Sequence, residues 1–83
     1  MAEPEYEALV GFVVKNIVTK PEEVRVTAQR TESGVVNLSV RTAPEDIGRV
    51  IGKHGATINA VRLIAKAAAV KPGDKVDVDI LED

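Results

Sequence analysis

Val50-Ile51-Gly52-Lys53-His54-Gly55-Ala56-Thr57-Ile58 sets two glycines around a lysine and a histidine, with aliphatic residues at both ends. Before it, Ile47, Val50 and Ile51 recur at helical spacing, and Gly52 breaks the run, because a left-handed residue at a helix end is cheap only for glycine. After it, apolar residues recur at helical spacing to about Val70. The stretch is therefore a tight helix–loop–helix connection. Neither glycine has a side chain, so a sugar-phosphate backbone can come close. The amides opening the second helix are expected to point outward, unpaired, at the positive end of its dipole. Lys53 adds a full charge, and His54 a donor and a second charge when protonated. Ile51 and Ile58 should anchor the two ends of the turn.

The flanking chain supplies the rest of a small two-layer fold. Tyr6, Leu9, Val10, Val13, Val14 and Ile17 form one helical stripe between Tyr6 and Val18, which Pro21 ends. Phe12 falls off that stripe and is expected at the edge of the core, with an exposed partner contact as the alternative. Val24, Val26 and Ala28, and then Val36, Leu38 and Val40, alternate with polar residues around a Glu32-Ser33-Gly34 turn, the pattern of a β-hairpin. Thr42-Ala43-Pro44-Glu45 has the form of a capping box, Thr42 accepting from first-turn amides while Glu45 reaches back. Lys71-Pro72-Gly73-Asp74 closes the second helix, and Val76, Val78 and Ile80 alternate in a last strand. The order is helix, strand, strand, helix, loop, helix, strand. Three strands with one apolar face predict an α+β fold with a three-stranded mixed sheet and helices on one face. Two helices between the second and third strands suit a parallel pair.

The Val-Ile-Gly-x-x-Gly-x-x-Ile pattern of Val50 to Ile58 closely resembles the signature of KH domains, whose GXXG loop clamps about four nucleotides of single-stranded nucleic acid by the backbone. The element order resembles the type II arrangement. From about residue 5 to 81 the chain is similar to the small bacterial single-KH proteins of the KhpA family, including Pro44-Glu45-Asp46-Ile47-Gly48 before the signature and Lys66-Ala67-Ala68-Ala69 after it. The resemblance implies a single KH domain over residues 1–83 that binds single-stranded RNA with little sequence specificity. It implies a cytoplasmic post-transcriptional regulator or RNA chaperone, pairing with itself and with a larger KH-containing protein, and affecting cell elongation and division. Carried over residue by residue, Gly52, Lys53, His54 and Gly55 are the phosphate clamp, with Arg49, Thr57 and Arg62 beside it. Val50, Ile51 and Ile58 are expected as apolar groove walls. The alternative is a KH-shaped protein–protein interaction module with little RNA binding. An intact glycine pair and a lysine in the loop favour RNA.

Composition bounds these expectations. Eighty-three residues make one domain with no room for a large enclosed active site. The net charge of −2 is unusual for a nucleic-acid binder, but it is unevenly spread: residues 41 to 75 hold seven Lys or Arg against Glu45, Asp46 and Asp74. There is no cysteine, no stretch of membrane-spanning length, and no signal-peptide pattern in the acidic Met1–Glu7 segment. A phosphate-binding P-loop needs Gly-x4-Gly-Lys-Ser/Thr, and here the glycine after Gly48 arrives one position early while His54 follows Lys53. A lone histidine makes neither a metal site nor a nucleophile pair, so no catalytic residue, metal or cofactor is assigned. Asp77 and Asp79 share a strand face and are expected to be solvated. On the second helix, Asn59, Arg62 and Lys66 make a narrow polar stripe, while Ile58, Val61, Ala65 and Ala68 suffice to cover a sheet. Ala60, Leu63, Ile64 and Ala67 widen the apolar arc further, and are expected either to form a self-association or partner surface or to pack on the first helix.

Overall fold

The computed structural model describes residues 5–81; the first four residues of the acidic N-terminal segment and the last two residues lie outside them. Helix α1 (Tyr6–Lys15) is followed by a 3-10 turn (Pro21–Glu23), strands β1 (Arg25–Arg30) and β2 (Val35–Arg41), and a second 3-10 turn (Pro44–Asp46). The short helix α2 (Ile47–Ile51), a 3-10 turn (Lys53–Gly55), helix α3 (Ala56–Ala69) and strand β3 (Lys75–Ile80) complete the chain. This is the α+β order that the sequence predicts.

The sheet runs β1-β2-β3, antiparallel between the first two strands and parallel between the last two. Its register puts Ala28, Leu38 and Val78 in one row and Val26, Val40 and Ile80 in the next. Because side chains alternate between faces, these rows point to the same side. There they meet Val10 and Val14 of α1 and Val61 and Ala65 of α3 in one core. Leu38, Val40 and Val78 are at most 1% exposed, and each such burial contributes roughly 1.5–3 kcal/mol. The hairpin closes through Gly34 at φ 89°, with Thr31 Oγ1 accepting from the Val35 amide at 3.1 Å.

Several local expectations give way to tertiary contacts. Helix α1 stops at Lys15, not Val18: the Ile17 and Val18 amides turn back onto Val14, and Asn16 Nδ2 donates to the Phe12 carbonyl at 2.7 Å. Pro21 opens the following 3-10 turn and does not end the helix. Phe12 is 69% exposed, which corrects the edge-of-core expectation. Two residues from both Val10 and Val14, it lies some 200° round the helix from the buried line. The capping box does not form. The chain instead makes a 3-10 turn from Pro44, Thr42 Oγ1 donates to the Ala43 carbonyl, and Glu45 pairs with Lys20 at 2.9 Å. Proline removes one of the first-turn amides that a cap would satisfy, and Glu45 is drawn to a cation on another segment.

The far end of the sheet is tied down by Asp74. The turn after α3 closes with the Gly73 and Asp74 amides on the Ala69 carbonyl, Gly73 at φ 78°. Asp74 then accepts from the Tyr6 hydroxyl at 2.7 Å and faces Arg30 at 3.5 Å, joining α1, β1 and β3. No helix among the described residues is long and apolar enough to cross a membrane.

Candidate nucleic-acid interface

Five residues are too few for a self-supporting helix, so α2 is held by its anchors. Val50 is fully buried and pins it to the core. Gly52 then turns the chain away at φ 75°, ψ 173°, His54 sits at φ 56°, ψ 28°, and Gly55 at φ 75°, ψ 12° starts α3. Three of four consecutive residues thus have positive φ, and the only non-glycine among the described residues in that region is His54. A left-handed residue with a Cβ costs about 1–2 kcal/mol, and such strain is concentrated at functional sites.

The two glycines serve different ends. A Cβ at Gly52 would overlap Thr57 Oγ1 and come within 2.7 Å of the Thr57 backbone nitrogen. A Cβ at Gly55 would meet nothing nearer than 3.8 Å, so only its φ demands glycine. Thr57 braces the loop from behind. Lys53 and His54 are exposed at its tip, and Arg49 is exposed in the last turn of α2 just before it. The result is a short cationic ridge with bare backbone on either side.

Three sequence expectations about this site need correction. The amides at the α3 start are not all free: Gly55 N–H donates to the Gly52 carbonyl at 3.2 Å and Ala56 N–H to that of Lys53, because the loop winds into a 3-10 turn. Val50 is fully buried and Ile58 is 6% exposed, so both support the loop from beneath and neither walls a groove. Ile51, half-buried, is the remaining apolar candidate for a wall. Arg62 lies on α3 but reaches sideways to β3, donating from Nε to the Val78 carbonyl at 2.9 Å and from Nη1 to Asn59 Oδ1 at 3.0 Å. Its Nη2 is 3.8 Å from Asp79. Asp77 Oδ1 accepts from the Val78 amide at 3.0 Å, so both main-chain groups of Val78 on this sheet edge carry side-chain partners.

The partner-surface residues separate cleanly. Ile58, Val61, Ala65 and Ala69 face the core, whereas Ala60, Leu63, Ile64 and Ala67 are exposed, Leu63 at 69%. Packing of α3 on α1 therefore does not consume them.

One residue central to this region escaped the sequence reading. Asp46 is 1% exposed. Its Oδ1 accepts from the Thr19 amide at 3.0 Å and the Thr19 hydroxyl at 2.8 Å, and its Oδ2 from the Lys20 amide at 3.1 Å. The Thr19 amide, then the Thr19 hydroxyl and the Lys20 amide, hold its carboxyl below the usual range against the effect of burial, and Arg49 adds to the shift. The signal was present: Asp46 stands four residues before the buried Val50, one helical turn ahead of it.

Residues 7–80 match the family described as KhpA/KhpB, KH domain. Proteins named "RNA-binding protein KhpA" are similar over most of their length. That of Clostridium perfringens is 42% identical over 73 residues, 88% of this chain and 96% of the relative. That of Leifsonia xyli subsp. xyli is 48% identical over 71 residues (86% and 90%), and that of Chlamydia pneumoniae 39% over 75 (89% and 94%). Among solved structures, a crystal structure of Aquifex aeolicus Era bound to GDP.AlF4- superposes with a TM-score of 0.55 at 14% identity. That likeness is one of fold; it covers 99% of this chain and 34% of Era.

Proposed function

The chain belongs to the KhpA/KhpB KH-domain family, and from that premise we propose that it binds single-stranded RNA by holding the sugar-phosphate backbone against the Gly52–Gly55 loop. The family is one of RNA-binding proteins, not enzymes. The observation that carries the proposal is the loop itself: a positive-φ bend with Lys53 and His54 exposed at its tip and no side chain on the two flanking residues. Phosphate oxygens are recognised by a lysine cation and a ring N–H donor of this kind without regard to base identity. Tyr6 is buried in α1 and Phe12 stands on the same helix, so no ring is available on the sheet to stack bases. Contacts confined to phosphate and sugar carry no base information, so low sequence specificity is expected.

As the resemblance implies, the protein works in the cytoplasm as a post-transcriptional regulator or RNA chaperone, together with a larger KH-containing protein, and influences cell elongation and division. Self-association is supported by the exposed arc of α3, on which Ala60, Leu63 and Ala67, continued by Val70 just past the helix end, follow at the alternating three- and four-residue spacing of a helix seam. The same arc favours a second reading, in which protein–protein contact is the main task and RNA binding is slight.

The deciding experiment is RNA binding by Lys53→Asp/His54→Asp across a salt series. The double variant is expected to lose binding almost completely, while parental affinity falls as salt rises. Equal binding by the two would remove the clamp assignment and leave the interaction-module reading.

A further inference from the structure

A five-residue helix that delivers the clamp cannot set its own position. Val50 fixes its depth in the core, while Ile47 and Ile51 are only half-buried, so the helix has no second fully buried anchor of its own. The second restraint lies at its start. Asp46 immediately precedes α2 (Ile47–Ile51), yet its carboxylate makes no bond to that helix's own amides. It reaches instead to Thr19 and Lys20, which lie between α1 and β1, and takes three hydrogen bonds from these two consecutive residues. Both carboxylate oxygens are used and the group is out of water. On the surface beside it, Glu45 pairs with Lys20 at 2.9 Å.

We propose that Asp46 is a positioning residue for the RNA clamp: by strapping the start of α2 to the Thr19–Lys20 segment it fixes the angle at which Gly52–Gly55 meets the RNA backbone. This rests on the RNA-binding reading of the loop. Asp46 touches no phosphate in this scheme and acts through α2. Small displacements of a recognition element carry large penalties in binding, so supporting contacts of this kind matter out of proportion to their distance from the ligand.

Asp46→Asn gives a test in which two explanations differ in sign. The variant keeps the side-chain shape, but one acceptor oxygen becomes an NH2 group facing a donor, so at least one of the three bonds is replaced by a donor–donor clash and the strap is weakened. It also removes a negative charge six residues before Gly52, which by long-range electrostatics alone would strengthen binding to RNA. Positioning requires the opposite. With the full chain and a fluorescently labelled single-stranded RNA, well below the melting temperature of both proteins, Asp46→Asn is expected to weaken binding by about tenfold or more. Glu45→Gln removes the same charge one residue away and should stay within about twofold of the parent. Amide exchange should quicken at residues 47–56 in Asp46→Asn, with β2 and β3 unchanged. A folded Asp46→Asn with parental or tighter binding overturns the proposal.

If Asp46→Asn does not fold, Thr19→Ala removes only one of the three bonds and should weaken binding by about threefold; parental affinity there also overturns it. If the parent binds no RNA, the function reading fails separately, and exchange decides the strap alone. Faster exchange at 47–56 supports it, and unchanged exchange in that segment refutes it.

Discussion

At Gly52 a single methyl group would collide with Thr57 while forcing a strained φ of 75°. At Gly55 only the φ of 75° would be strained. Gly52→Ala should therefore destabilise the fold by more than the roughly 1–3 kcal/mol of backbone strain alone, and Gly55→Ala by about that amount. Thermal unfolding of the two variants side by side checks the order, and equal losses would mean that the Thr57 contact yields freely. His54 presents the reverse case, a side chain kept where glycine would be easier. His54→Gly relieves about 1–2 kcal/mol of left-handed strain and loses about 0.5–1 kcal/mol to chain entropy. Its melting temperature should therefore not fall, while RNA affinity should. A drop in stability without a drop in affinity would make His54 a structural residue. Asp46 gives a pH effect of defined sign. The Thr19 amide foremost lowers its folded-state pKa, so its contribution to stability is present above the unfolded-state value of about 3.9. It is lost as pH falls through the folded value. Parent and Asp46→Asn should differ in stability at neutral pH and converge in strong acid, as acid titrations followed by circular dichroism would report.

Helix α3 carries two apolar surfaces with different tasks. The line Ile58, Val61, Ala65 and Ala69 is buried on the sheet and α1, while Leu63 stands 69% exposed on the arc with Ala60, Ile64 and Ala67. Val61→Ala should lower stability by about 1–3 kcal/mol through lost burial and the space left behind. Leu63→Glu should leave the melting point of the isolated fold nearly unchanged, because its side chain supports no core contact. Its effect is expected on association. Light scattering at tens of micromolar, a concentration range at which specific contacts of about 6–7 kcal/mol become visible, should show a parental dimer and a monomeric Leu63→Glu. A parent that is monomeric there excludes self-association through this arc.

For the molecule as a whole, net charge and binding charge point in opposite directions. The chain carries −2 in all, yet Arg49 and Lys53 gather at one exposed bend beside the His54 ring, while Asp74 is engaged with Tyr6 and Arg30 on the other side of the fold. RNA affinity should accordingly depend on salt with a shallow slope, set by few phosphate contacts and not by a broad basic surface. For single strands each neutralised phosphate contributes about −0.7 to the slope of log K against log salt, so Lys53→Ala should reduce the magnitude by about that amount. A slope untouched by this change would place the phosphate contact elsewhere on the molecule.

The sequence by itself determined the element order, the apolar face of each strand and the glycine-bounded bend. These follow from periodicity and from backbone freedom, which neighbouring residues set. It grouped Ile58, Val61 and Ala65 apart from Ala60, Leu63, Ile64 and Ala67, but left the second group between a partner surface and packing on α1; the structure exposes it and puts Ala69, not Ala68, on the buried line. Only the tertiary structure decided that Asp46 straps α2 to Thr19 and Lys20, that Arg62 turns to the edge of β3, and that Thr57 fills the space a Cβ at Gly52 would need. It likewise dissolved the expected Thr42–Glu45 capping box in favour of the Lys20–Glu45 pair. The physical reason is common to Asp46, Arg62 and the Thr42–Glu45 segment, whereas the Gly52–Thr57 contact is a local one of shape. A polar side chain has several acceptors or donors within reach in the folded chain, and the bond that forms is chosen by segments far away in sequence. Apolar periodicity and glycine φ preferences, in contrast, are fixed before any distant segment arrives.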